Sequence, residues 1–152
     1  MSRRSDILYF PQSPDSPLPL TAQASRKVRF EEVDPLGIVW YGRYPSYLED
    51  GRTAFGEKYG LNYLDMHKEN FLAPIVQMHL DYHSPLAFPE EFTITAALHW
   101  TDAVKLNFQY TITGQEGRIA ATGYTVQLLT NFNREVLLAR PVIVEDFCRR
   151  WK

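Results

Sequence analysis

A chain of 152 residues that is 45% hydrophobic and 22% charged is long enough for one domain with its own core, and its composition is that of a globular protein rather than a disordered or collagenous one. Its formal net charge of −2 offers no basic excess for binding a phosphate backbone, which argues against a nucleic-acid partner. No apolar run approaches bilayer length and the opening MSRRSDILYF lacks the long apolar centre of a secretory signal, so no membrane insertion and a cytoplasmic location are expected.

Residues 1 to 24 read as a flexible leader ahead of a single domain over residues 25 to 152. Within it PQSPDSPLP holds four prolines in nine positions, each fixing its own φ and biasing its predecessor away from helix. Next, RKVRFEEV alternates as a strand from Arg26 to Val33 and runs into the turn signal Asp34-Pro35-Leu36-Gly37, which predicts that a strand delivers Asp34 into a loop. Tyr44, Tyr47, Leu48, Gly51, Phe55 and Tyr59 then recur at helical spacing, with Pro45 suited to a first turn. That is one helix, roughly 44 to 59. Its glycines, Gly51 and Gly56, each weaken a helix by about 1 kcal/mol relative to alanine, so a neighbour is expected to pack closely there.

Four long strands follow, with period-two patterns carried by Val76 to Tyr82, Phe92 to Trp100, Val104 to Ile112 and Ala120 to Leu128. PLAFPEE, WTDA, GQEG and NFNRE separate or follow them with turn-forming residues. A short helix from Val142 to Trp151 closes the chain, and its lone cysteine, Cys148, reads as a packed thiol rather than a nucleophile. His79 and His83 share one strand face with Asp81 between them. Without further ligands at suitable spacing that is read as a polar sheet face rather than a metal pair. The element order gives an α+β domain with an antiparallel sheet. One long helix cannot cover both faces of that sheet, so pairing with a second copy is expected.

The segment FEEVDPLGIVWYGRYPSYLEDGRTAFGEKYGL resembles the signature of the 4-hydroxybenzoyl-CoA thioesterase family and the related YbgC-type acyl-CoA thioesterases. The matching positions are Asp34, Gly37, Val39 and Tyr41, followed by Tyr44, Glu49 and Arg52, and DYHSPLAFPEEFTI matches the family's strand, Pro-Leu step and acidic turn. With the strand order the resemblance spans residues 26 to 150. It implies a hotdog fold, a curved antiparallel sheet wrapped around one long helix, with sites built at the interface of a homodimer that commonly pairs into a dimer of dimers. Gly42 and Arg43 stand where the YbgC branch often has a histidine and the hydroxybenzoyl branch Pro-Asn, which removes support for a histidine-assisted mechanism. The run Asp34-Pro35-Leu36-Gly37-Ile38-Val39-Trp40-Tyr41 favours the hydroxybenzoyl side.

Thioester hydrolysis needs an attacking oxygen, a group that supplies or activates it, and donors aimed at the carbonyl oxygen. Asp34 is the candidate nucleophile or general base. The unpaired N–H groups at the helix start, with the Tyr41 backbone N–H implied by the resemblance, are candidate donors. Glu49 can orient water or substrate, against the plainer reading of a surface pair with Arg52. Gly37, Val39 and Trp40 are expected to line the substrate. Arg43 is placed to meet an anionic group of the substrate or its pantetheine arm, and Lys105, with Arg118 and Arg134, to meet coenzyme A phosphates. The leading expectation is thus an acyl-CoA thioesterase, coenzyme A being part of the substrate and no separate cofactor being implied. An acyl-carrier-protein thioesterase and a non-catalytic thioester-binding protein are the alternatives. A hotdog hydratase is disfavoured because no histidine accompanies the Asp-Pro-x-Gly loop.

Overall fold

The computed structural model describes residues 8 to 152. Five antiparallel strands, β1 (Leu20–Lys27), β2 (Ile75–Tyr82), β3 (Glu91–His99), β4 (Lys105–Thr113) and β5 (Ile119–Leu128), form one sheet in the order β1-β3-β4-β5-β2. Helix α1 (Tyr44–Tyr59) lies across the sheet, α2 (Tyr63–Lys68) follows it, and α3 (Val142–Trp151) closes the chain. This is the α+β hotdog architecture that the motif implied. No described helix is long and apolar enough to cross a membrane.

α1 forms over the residues expected, with Pro45 in its first turn, where the missing N–H is not required, and Gly60 in the left-handed conformation as its C-cap. Tyr44, Tyr47, Leu48, Gly51 and Phe55 are buried at helical spacing, and Leu48 and Tyr47 are wholly inaccessible. They meet the inner face of the sheet, where Ile94 and Ala96 of β3 and Tyr110 of β4 are equally buried. Gly51 is the point of closest approach. A Cβ there would stand 3.0 Å from Ile94 Cγ2 and 3.3 Å from the Ala96 Cβ, and one at Gly56 would stand 2.8 Å from the Asn62 Cα. A side chain at Gly56 would collide with the Asn62 backbone, and one at Gly51 would press on the Ile94 and Ala96 side chains.

The first strand differs from the expectation. β1 begins at Leu20, inside the segment read as leader, and ends at Lys27, while Phe30–Glu32 is a 3-10 turn. Two things hid this. Alternation in RKVRFEEV has the wrong polarity for a strand here, since Phe30 is 77% exposed and Glu32 only 4%. The true strand, LTAQASRK, buries only small or partly covered apolar groups at a sheet edge, which leaves a weak hydrophobic signal. The rest of the leader is also attached where it is described. Tyr9 and Phe10 pack on the outer face of the sheet against His79, Tyr124 and His99, and the Trp151 indole donates to the Leu18 carbonyl at 2.8 Å. Residues 1 to 7 of the expected leader lie outside the described residues.

α2 was not expected from the sequence. Its start is a capping box, in which Asn62 Oδ1 accepts the Asp65 N–H at 2.9 Å and Asp65 Oδ2 accepts the Asn62 N–H at 3.1 Å. α3 presents Val144, Phe147 and Cys148 to the core, and burial pushes the Cys148 thiol up, consistent with a packed group.

The close approach at Gly51 is open to test. Gly51→Val is expected to destabilise the domain by about 1–3 kcal/mol through overpacking against Ile94 and Ala96, even though leaving glycine favours the helix by a few tenths of that. Urea unfolding measures it, and unchanged stability would contradict this packing.

Candidate active site

Asp34 sits in a small hairpin closed by an antiparallel bridge between Val33 and Val39. The Gly37 N–H donates to the Asp34 carbonyl at 2.9 Å and the Asp34 N–H to the Ile38 carbonyl at 2.9 Å. Gly37 has φ +79°, a left-handed conformation that glycine takes without steric cost. Asp34 Oδ1 accepts the Leu36 N–H at 2.8 Å, the short-range cap that such turns favour. Among the described residues its other oxygen takes no hydrogen bond.

The hairpin is clasped on both sides. The Val39 N–H donates to the Leu86 carbonyl at 2.8 Å and the Trp40 N–H to the Glu32 carbonyl at 2.9 Å. Glu32 in turn is buried, its carboxylate accepting the Tyr47 hydroxyl at 3.0 Å and the Arg29 N–H at 2.8 Å and facing Arg26 at 3.4 Å. On the Leu86 side, Glu90 accepts N–H groups of Ala87 at 3.1 Å and Gln115 at 2.9 Å, and pairs with Arg118 at 2.7 Å. Burial by itself would raise the Glu90 carboxyl, but the Gln115 and Ala87 N–H groups and the Arg118 charge outweigh it and hold the group below the usual range.

Asp34, Ile38, Val39, Tyr41, Tyr44, Tyr82, His83, Ser84 and Pro85 line one cleft of about 350 Å³. Tyr41 begins a 3-10 turn, Tyr41–Arg43, that leads directly into α1. The first N–H groups of this continuous helical run, on Tyr41 and Gly42, are thus not used by the helix itself. The Tyr82 hydroxyl pins the turn from the side by donating to the Tyr41 carbonyl at 3.0 Å. Burial pushes the Tyr44 phenol up to about 12, so it stays neutral near pH 7 in the cleft wall. Gly42 also has a steric reason, because a Cβ there would fall 2.4 Å from the Trp40 ring.

The remaining expected residues are distributed as follows. Val39 is buried in the cleft wall, and Trp40 is half-exposed beside Tyr41. Arg43 donates to the Glu31 carbonyl at 3.0 Å, so its guanidinium helps to fold the loop. Glu49 pairs with buried Arg52 outside this cleft. Arg52 also donates to Tyr110 at 2.8 Å and Tyr63 at 3.2 Å, on the wall of a second, mostly apolar cavity of about 250 Å³ that Leu61, Met66, Phe108 and Gln127 complete. Lys105 begins β4 beside Arg140 and Trp151, at the far end of the sheet from Asp34. Arg118 is a cation near the cleft, donating to Ser84 Oγ at 2.9 Å and to the Pro85 carbonyl at 2.8 Å. Tyr44, Tyr82 and His83 were not singled out for the site. The segment DYHSPL that carries two of them was part of the motif match, but strand alternation alone gives no hint that the end of β2 turns towards Asp34.

A five-stranded antiparallel sheet in this strand order packed against one long helix is the hotdog architecture. The chain belongs to the thioesterase-like superfamily, whose family model matches residues 28–151, and it is a thioester hydrolase of that group. It is 31% identical over 94 residues to YneP of Bacillus subtilis, named as an acyl-CoA thioesterase, covering 62% of this chain and 68% of that protein. It is 30% identical over 105 residues to the chloroplastic acyl-acyl carrier protein thioesterase ATL3 of Arabidopsis thaliana, covering 67% of this chain and 55% of that protein. The chain thus spans about half the length of the plant protein. Among solved structures it is similar to a DHNA-CoA thioesterase of Staphylococcus aureus, with a TM-score of 0.76 at 20% identity, covering 86% of this chain and 90% of that one.

The depressed Glu90 carboxyl makes a pH prediction. Its folded pKa lies below the unfolded one, so its stabilisation is complete above the unfolded value of about 4.3 and is lost as pH falls through the lower folded value. Glu90→Gln is therefore expected to be less stable than wild type at neutral pH and to lose less further stability on acidification. Denaturant unfolding at neutral and acid pH checks it, and parallel acid losses in the two proteins would contradict it.

Proposed function

We propose that the protein hydrolyses an acyl- or aryl-coenzyme A thioester in the Asp34 cleft. The observation that carries this reading is the presence, in one cleft, of the Asp34 carboxylate and of Tyr41 at the start of a helical run. A carboxylate supplies the nucleophile or the base that draws a proton from water, and N–H groups at the positive end of a helix stabilise charge as it develops on the carbonyl oxygen. In the general-base route the water oxygen bonds to the carbonyl carbon while its proton passes to Asp34. The C–S bond then breaks and the thiolate takes up that proton, giving acid and thiol. In the nucleophilic route a carboxylate oxygen of Asp34 bonds to the carbonyl carbon as the C–S bond breaks, giving an anhydride and the thiolate; water then splits the anhydride to the free acid and Asp34, and its remaining proton passes to the thiolate. The names of the Bacillus and Staphylococcus proteins support coenzyme A as the carrier, and that of the Arabidopsis protein supports an acyl carrier protein as the alternative. Arg118, held at the rim by Ser84 and Pro85, is suited to an anionic group of either carrier.

The working unit in this reading is a homodimer. β2 is an edge strand, and Met78 and Tyr82 on its inner face are 40% and 50% exposed because α1 packs over β1 and β3 instead. An edge with an uncovered apolar face is the surface that a second copy would cover.

Thiol release from a panel of aryl-, short- and long-acyl-CoA substrates tests the reading. Wild type is expected to turn over at least one class, and Asp34→Ala to lower kcat by about 10²–10⁴-fold with substrate binding retained. Equal turnover by the variant would overturn the role of Asp34, and no release from any thioester would overturn the reading itself. Light scattering is expected to give the mass of a dimer or a multiple of it, and a monomer would contradict the pairing.

A further inference from the structure

Tyr82 is the last residue of β2 and lines the cleft with Asp34 and Tyr41. Its ring meets the buried Tyr44 ring edge-on, with centroids 4.9 Å apart, and its hydroxyl donates to the Tyr41 carbonyl at 3.0 Å. A carbonyl has no hydrogen to give, so the direction of this bond is fixed. Burial and the neighbouring Tyr41 push the Tyr82 phenol up, and it keeps its proton at neutral pH. The same carbonyl accepts the Tyr44 N–H, which closes the 3-10 turn Tyr41–Arg43. Both lone pairs of the Tyr41 oxygen are therefore engaged, one by the helical run and one by a strand from another part of the fold.

What holds this carbonyl also holds the next N–H. From the Tyr41 C=O to the Gly42 N–H the chain is a single planar trans peptide, whose carbonyl and N–H point in opposite directions. With the oxygen held along the run by Tyr44 and Tyr82, the Gly42 N–H turns back towards Val39, the direction that an N–H takes in a 3-10 turn. The Tyr41 N–H turns towards Ile38 in the same way. Ile38 and Val39 both line the cleft, and the Ile38 carbonyl already accepts the Asp34 N–H at 2.9 Å. A flip of the Tyr41–Gly42 peptide would present an oxygen where the thioester oxygen gathers charge. A hydrogen bond at a carbonyl also draws charge towards that oxygen and makes the N–H of the same peptide a stronger donor.

We infer that Tyr82 is a positioning residue of the hydrolytic site, its hydroxyl holding the Tyr41–Gly42 peptide with the N–H towards the cleft and strengthening that N–H as a donor to the thioester carbonyl oxygen. The inference rests on the thioesterase reading and applies to both of its routes, since each gathers negative charge on that oxygen. Tyr82 transfers no proton, and its hydrogen stays on the phenol oxygen throughout. Its effect reaches the substrate only through the Gly42 N–H and grows as charge develops, so it acts on kcat rather than on KM.

Tyr82→Phe keeps the ring against Tyr44 and the apolar face of β2 and removes only the hydroxyl. In 1H–15N spectra of glycine-labelled full-length protein, the Gly42 resonance is expected to move, because an amide nitrogen responds to hydrogen bonding at the carbonyl of its own peptide. The resonance of Gly60, at the far end of α1, is expected to stay in place. On the thioester that wild type hydrolyses best, Tyr82→Phe is expected to lower kcat about 3–30-fold with KM little changed, less than the loss of about 10²–10³-fold when an oxyanion donor itself is removed. Tyr82→3-fluorotyrosine keeps the shape and the hydroxyl should the phenylalanine variant fold poorly. Its more acidic phenol donates more strongly, and the Gly42 resonance is expected to move in the opposite direction.

A Gly42 resonance that neither variant moves would overturn the coupling through the peptide whatever the turnover. Hydrolysis that is lost in Asp34→Ala but unchanged in Tyr82→Phe, or an effect of Tyr82→Phe confined to KM, would overturn the role of Tyr82 and leave the thioesterase reading standing. Absence of any hydrolysis by wild type would overturn both, and is distinguished from the previous outcome by the wild-type rate alone.

Discussion

The buried carboxylate of Glu32 is the tie on which the site depends. The loop from Val33 to Val39 has too little apolar surface to hold itself in place, and its position is set by what its two ends bond to. Glu32 binds the Tyr47 hydroxyl on α1 with its side chain and the Trp40 N–H with its carbonyl. It therefore fixes the loop to the helix and to the residue just before the helical run. Arg26 on β1 shares the tie through a 3.4 Å contact to Glu32 and a pair with Asp50 of α1. Such a buried carboxylate is tolerated only because its acceptor sites are filled, and removing one partner of a buried pair typically costs about 3–5 kcal/mol. The same geometry keeps Asp34 and Tyr41 on one cleft wall.

Much of this was legible in the sequence because it depends on local rules. α1 follows from helical spacing and Pro45, and the close approach at Gly51 follows from a glycine where a helix does not want one. The strands β2 to β5 follow from alternation. The hairpin at Asp34 follows from its turn residues. Where sequence reading went astray, tertiary structure reversed the local signal. Glu32 is buried and Phe30 exposed because the chain leaves the sheet at Lys27 to build the clasp, so alternation in that stretch pointed to a strand that does not form. α2 was available in the Asn62–Asp65 capping pair but is only six residues long, too short for periodicity to register.

The site was legible only in part, for the same reason. Asp34 and Tyr41 lie on one continuous motif, and the structure places both in the cleft. Glu49, three residues from Arg52 on α1, is held by that buried arginine at a separate cavity, so the two carboxylates do not face each other within one protomer. Lys105 is at the opposite end of the sheet because register, not sequence distance, decides which strand end meets the loop: β5 brings Ala120 against the backbone of His83, while Lys105 pairs with Leu128.

In the proposed reaction the reacting carbon sits beside Asp34 rather than in the apolar cavity under Arg52, Tyr63 and Gln127. The most direct measurement is a crystal structure with a non-hydrolysable acyl-CoA analogue in which a methylene separates the carbonyl carbon from sulfur. The carbonyl carbon is expected in the cleft of Asp34, with its oxygen directed at the N–H groups of Tyr41 and Gly42. A carbonyl found in the Arg52 cavity, with the Asp34 cleft empty, would contradict it.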